Sequence, residues 1–136
     1  MGPPSSWDGR IAAVHEGGMA GLVDAVLERW FTPSFLATGE EQIAPVRAML
    51  TATDPGGYAG CCAAIRDMDM RPMLGLITTP TLVIGGSQDP ATPPPHSELL
   101  ASSIASARLV MLPAAHLSNV EQAEAFTGAL FDHFAA

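Results

Sequence analysis

Asp89 and His116 are the two residues of this sequence whose types and placement could do chemistry together. Asp89 ends the stretch Gly86-Ser87-Gln88-Asp89, three residues beyond an apolar run at Thr81–Gly86. His116 ends Pro113-Ala114-Ala115-His116, three residues beyond a second run at Arg108–Pro113. A carboxylate beside an imidazole accepts the Nδ1–H, fixes the tautomer, leaves Nε2 free to act as a base and stabilises the imidazolium that forms. Taken singly, each residue has a plainer role. Asp89 can cap the proline-rich turn that follows it, and His116 can be an ordinary loop residue.

The elements around them decide whether they meet. Thr81-Leu82-Val83-Ile84-Gly85-Gly86 is short, apolar and rich in β-branched residues, which reads as a strand buried on both faces. Asp89 to Pro95 is a loop in which Thr92 can cap a helix starting at Pro93 and carrying Leu99, Leu100 and Ile104. Arg108–Pro113 reads as a second buried strand. Ser118-x-x-Glu121 has the spacing of a capping box and opens a last helix with Val120, Ala123, Phe126, Leu130 and Phe134. The order strand, helix, strand, helix predicts a parallel sheet with right-handed crossovers. In such sheets ligands bind just past the carboxyl ends of the strands, where both Asp89 and His116 fall.

Residues 1–76 read as helices only, and residues 77–136 as the strand-containing part. Ser5 or Ser6 can cap a first helix that Gly17-Gly18 ends. Met19, Leu22, Val23, Val26, Leu27 and Trp30 form an apolar stripe at helical spacing, stopped by Phe31-Thr32-Pro33. Thr38-x-x-Glu41 reads as a capping box before Ile43, Val46 and Leu50. Asp54-Pro55 is a start signal, with Asp as N-cap and Pro in the first helical position, for a helix reaching about Arg66. Arg71-Pro72 begins a further short turn.

Two parallel strands do not make a stable sheet. The run at 81–86 is expected to lie against another strand, supplied by a missing N-terminal half or by self-association through that edge. With 48% hydrophobic and 15% charged residues the chain is of the packed globular kind. Its net charge of −8, with arginine as its only cationic residue, excludes a phosphate-neutralising surface, so nucleic acid is not an expected partner. No apolar run reaches membrane-spanning length, and no membrane association is expected. Cys61 and Cys62 are expected as buried free thiols in a reducing cytoplasm. No spacing of His, Cys, Asp and Glu suggests a metal.

The stretch Thr81–Gly86, Asp89 and the later His116 resemble the end of the α/β-hydrolase fold, whose triad runs Ser, Asp, His along the chain. A finer resemblance is to the 3-oxoadipate enol-lactonases of aromatic degradation by the β-ketoadipate pathway. It rests on Arg29-Trp30-Phe31-Thr32-Pro33, on Gly57-Tyr58-x-x-Cys61-Cys62-Ala63-Ala64-Ile65-Arg66-Asp67, on Asp89-Pro90-Ala91-Thr92-Pro93-Pro94, and on Ala115-His116-Leu117-Ser118-Asn119-Val120-Glu121-Gln122. The resemblance implies an α/β chain: residues 1–76 a helical lid, residues 77–136 the last two strands of the core with their helices. It implies hydrolysis of a small lactone or ester without a cofactor, with Asp89 and His116 as the triad acid and base. It also implies that the nucleophile lies elsewhere, because no Gly-x-Ser-x-Gly elbow occurs here and Ser87 sits in the acid loop. Trp7, Trp30 and Phe31 are candidates to line a substrate pocket or, alternatively, plain core. Arg66 is a candidate to meet a substrate carboxylate or, equally, to pair with Asp67 or Asp69. Two other readings stay open: a non-catalytic fragment or complementing half of a two-chain assembly, and another small-ester hydrolase or cofactor-free haloperoxidase of the same fold.

Overall fold

The computed structural model describes residues 2–135. Helix α1 (Pro4–Gly17) starts on a proline at its first position, where a missing N–H costs nothing. It stops at Gly18, whose φ of 64° suits glycine and whose N–H bonds back to Val14 O. Ser5 and Ser6 lie inside this helix and cap nothing: the N-cap is Pro3, and the Ser6 hydroxyl donates to Pro3 O. Helix α2 (Val23–Trp30) begins later than the apolar stripe suggests, and Met19 and Leu22 sit in the turn before it. Phe31 turns extended, and Thr32-Pro33 starts a new short helix, α3 (Pro33–Thr38), with the Thr32 hydroxyl accepting from Phe35 N–H. Pro33 is thus not only the stop that the sequence suggests, because a proline that ends one helix can equally open the next.

Helix α4 (Glu40–Ala52) corrects the proposed capping box. Its N-cap is Gly39, while Thr38 belongs to α3 and donates its hydroxyl to Ser34 O. Helix α5 (Pro55–Asp67) starts as expected, with Asp54 Oδ1 accepting from Gly57 N–H at 2.7 Å. Along it Cys62 is buried but Cys61 is exposed, so only one of the two free thiols is interior. A 3₁₀ turn (Arg71–Leu76) then leads to the sheet.

Val14, Leu27, Phe31 and Ile43 are the largest fully buried side chains, and they share one cluster drawn from α1, α2, α4 and the turn after α2. Each contributes about 1.5–3 kcal/mol relative to exposure, which holds the short helices as one unit. Leu117 and Val120 pack against this same cluster from the far end of the chain, so the segment following His116 rests on the helical part.

Strands β1 (Thr81–Gly86) and β2 (Ala107–Leu112) pair in parallel, from Thr81 opposite Ala107 to Gly86 opposite Leu112. They form the two-stranded sheet of the described residues. Helix α6 (Pro94–Ser103) makes the crossover and packs on both strands. The last helical stretch is broken in two: α7 (Ser118–Glu121) and α8 (Ala123–Phe134), separated by Gln122 at φ −131° and ψ 50°. α8 packs on both strands as well. Two glycines let the sheet close on its surroundings. A Cβ on Gly85 would collide with the Ser97 hydroxyl of α6, and one on Gly86 with the carbonyl oxygens of Ala114 and Ala115. The apolar run of β1 is only partly covered: Val83 is buried, while Leu82 and Ile84 are half-exposed. A groove alongside it is lined by Met68, Met70, Leu74, Ile84, Leu99 and Leu100.

Candidate active site

The loop after β1 is sewn to the loop after β2 by main-chain bonds. Ser87 N–H donates to Leu112 O at 2.8 Å and Gln88 N–H to Ala114 O at 3.0 Å. This brings Asp89 and His116 to the same end of the sheet, past the carboxyl ends of adjacent parallel strands. His116 Nδ1 lies 2.8 Å from Asp89 Oδ2. His116 Nε2 takes part in no hydrogen bond among the described residues.

The Asp89 carboxylate is buried and fully occupied. Oδ1 accepts from the N–H groups of Ala91 at 2.7 Å and Thr92 at 3.0 Å; Oδ2 accepts from the Thr92 hydroxyl at 2.7 Å and from His116. Burial pushes this carboxyl upward, but the bonds from His116, Thr92 and Ala91 together outweigh it and hold it below its ordinary value. The acid is therefore kept ionised, as an acceptor for the imidazole must be. Thr92 corrects the sequence reading: it does not cap α6, whose N-cap is Pro93, but spends its hydroxyl on Asp89, 3.3 Å from His116 Nδ1.

Of the tentative binding residues, Trp30 comes closest. Its ring centre is 6.2 Å from that of His116, tilted by 34°. Its carbonyl accepts from Leu117 N–H at 3.0 Å. Phe31 is core instead, buried and stacked on Phe35 with ring centres 5.4 Å apart. Trp7 lies on α1 beneath the Arg10 guanidinium, 5.2 Å from its ring. Arg66 is committed to carboxylates: Nε and Nη2 donate to Asp67, and Nη1 donates to Asp8 at 2.6 Å. Asp69, the other partner considered for it, pairs with Arg71. Ser87 is exposed in the turn before Asp89.

Glu121 does not make the capping box that its spacing from Ser118 suggests. The residue before α7 is Leu117, and no side chain caps that helix. The Glu121 carboxylate instead accepts from the Thr32 hydroxyl and, at Oε2, from Thr32 N–H at 3.3 Å and Ala115 N–H at 3.1 Å. Its only sequence signal is a position five residues after His116, which the Ser118-x-x-Glu121 pattern explains equally well.

Among the described residues no group of three or more His, Cys, Asp and Glu could hold a metal ion, and no helix is long and apolar enough to cross a membrane. Within the pair, His116 is exposed while the Asp89 carboxylate beside it is buried.

Parallel strands carrying an acid and then a histidine at their carboxyl ends, after a helical stretch, are the C-terminal part of the α/β-hydrolase fold, and this chain has that fold. No family model matches the chain. It is 37% identical over 130 residues to 3-oxoadipate enol-lactonase 2 of Acinetobacter baylyi, a match covering 96% of the chain and 49% of that relative. A hydrolase from Pseudomonas aeruginosa PA01 superposes with a TM-score of 0.94 at 48% identity, covering all of this chain and 52% of the other. The enol-lactonase of Burkholderia xenovorans LB400 does so with a TM-score of 0.96 at 41% identity, over 99% and 52%. The chain is thus a homologue of the 3-oxoadipate enol-lactonases, corresponding to their C-terminal part. It spans about half the length of the relatives it matches.

Proposed function

We propose that this chain is the acid- and histidine-bearing part of a serine-type hydrolase that opens 3-oxoadipate enol-lactone to 3-oxoadipate. The observation that carries the reading is the Asp89–His116 hydrogen bond at 2.8 Å, made by a buried, fully occupied carboxylate. In this reading the helical residues 1–76 serve as the lid over the substrate. The nucleophile is a serine of an N-terminal half, since this sequence holds no Gly-x-Ser-x-Gly elbow. With its Nδ1–H on Asp89, His116 presents Nε2 to take the serine proton as the hydroxyl attacks the lactone carbonyl. The imidazolium, stabilised by Asp89, then protonates the leaving enolate oxygen. Water, deprotonated by the same Nε2, cleaves the acyl-enzyme. The lactone substrate is supported by the enol-lactonase relatives, which match both the helical and the sheet parts.

Co-expression with the N-terminal half of an enol-lactonase relative tests this. The reassembled protein should hydrolyse the enol-lactone, and Asp89→Asn should lower kcat by about 10⁴-fold, as loss of the orienting carboxylate does in other triads. Undiminished turnover in His116→Ala would refute the assignment.

A further inference from the structure

Both chain neighbours of His116 are fastened to the same turn of the helical part. Leu117 N–H donates to Trp30 O at 3.0 Å. Ala115 N–H donates to Glu121 Oε2, and that carboxylate holds Thr32 through both its N–H and its hydroxyl. Thr32 is itself buried and is the N-cap of α3. The Trp30 ring, from this same turn, faces the imidazole at 6.2 Å. The histidine loop thus does not find its position from the sheet alone. One carboxylate, reaching across 89 residues of sequence from Thr32, joins it to the turn between α2 and α3.

We infer that Glu121 is a positioning residue for His116, a brace that locks the histidine loop to the Trp30–Thr32 turn and so couples the helical part to the Asp89–His116 pair. The inference rests on the proposed role of that pair. Its chemistry is specific about what can replace Glu121. Two backbone N–H donors converge on Oε2, while Oε1 meets a hydroxyl that can either donate or accept. A glutamine oriented with its carbonyl in the Oε2 position keeps both backbone bonds and donates its amide to the Thr32 hydroxyl. An alanine loses all three, and leaves two buried donors unmet.

The experiment reads the His116 ring nitrogens by ¹⁵N NMR in the purified chain, with the ring neutral. The wild type should show Nδ1 protonated and Nε2 bare, the tautomer that Asp89 selects. Glu121→Ala should lose that preference and move both nitrogen shifts toward the mixed-tautomer average, while Glu121→Gln should keep the wild-type pattern. Asp89→Ala serves as the reference for complete loss. A merely structural glutamate would lower thermal stability on removal without moving the tautomer, so an unchanged pattern in a folded Glu121→Ala protein overturns the brace and leaves the Asp89–His116 reading intact. Loss in Glu121→Gln also overturns it. A wild type lacking the Nδ1–H tautomer overturns the pair and the brace together. If Glu121→Ala does not fold, Thr32→Val, which removes only the hydroxyl, must move the nitrogens in the same sense; unmoved nitrogens there count against the brace.

Discussion

The Thr92 hydroxyl stands 2.7 Å from Asp89 Oδ2 and 3.3 Å from His116 Nδ1, so one side chain touches both members of the candidate pair. Its proton points at the carboxylate, and its oxygen is then available as a second, longer acceptor for the imidazole N–H. The position is set by the turn Asp89-Pro90-Ala91-Thr92, which folds back so that Asp89 Oδ1 takes the N–H groups of Ala91 and Thr92. Replacing Thr92 by valine keeps the shape and removes the donor. We expect Thr92→Val to cost about 1.5–3 kcal/mol, the usual range for a hydrogen bond to a charged acceptor, measured by urea unfolding. An unchanged midpoint would show that the hydroxyl bond contributes nothing.

Acid should expose the carboxylate's contribution. Asp89 titrates below its ordinary value in the fold because the bonds from His116, Thr92 and Ala91 outweigh its burial. A depressed carboxyl adds stability above its unfolded value, about pH 4, and loses it as pH falls through the folded value. Asp69, brought down to about 2 by Arg71, and Asp67, lowered by Arg66, act in the same direction at exposed sites. The difference between wild type and Asp89→Asn therefore isolates the buried group. Thermal melts between pH 6 and pH 2 should show a gap that is widest above pH 4 and closes in acid; a gap independent of pH would contradict the depressed carboxyl.

Two glycine substitutions should have opposite signs. Gly86→Ala drives a methyl into the carbonyl oxygens of Ala114 and Ala115, backbone atoms that cannot swing aside. A loss of about 1–3 kcal/mol or more is expected, as for other overpacked sites. Gly128→Ala, in α8 with nothing near its would-be Cβ, should gain about 0.4–1 kcal/mol by stiffening the unfolded chain. Denaturant midpoints of the two variants against wild type check both signs.

The sheet predicts association. β1 has β2 on one side, and the groove beside it exposes Met68, Met70, Leu99 and Leu100. An open edge of backbone N–H and C=O groups next to apolar surface recruits another strand. Sedimentation at micromolar concentration should find this 14.1 kDa chain self-associated or bound to an N-terminal half. A monodisperse monomer with a cooperative melt would refute this. The purified chain should also leave activated esters intact, and turnover abolished by His116→Ala would mean that a serine within it can attack.

Asp89 and His116 are legible in the sequence because each follows a buried strand by a fixed short distance, and a parallel sheet brings such positions together. Thr92 and Glu121 are not. Thr before a proline-rich helix start, and Glu three residues after Ser118, carry the same letters as local caps, whereas here both spend their oxygens on partners distant in sequence or on the acid itself. Local pattern cannot separate a side chain that serves its own helix from one that serves a neighbouring loop. The same limit hid α3: Pro33 marks a boundary in either direction, and only the Thr32 hydroxyl on Phe35 N–H shows which.

The bonds from Ser87 and Gln88 to Leu112 and Ala114 are main chain to main chain. Their side chains are exposed. The distance between acid and base is therefore encoded in the peptide groups and not in the letters at 87 and 88. Those two positions can accept any residue but proline, which would remove the N–H, and a library randomised there without proline would preserve the pair while varying the rim beside it.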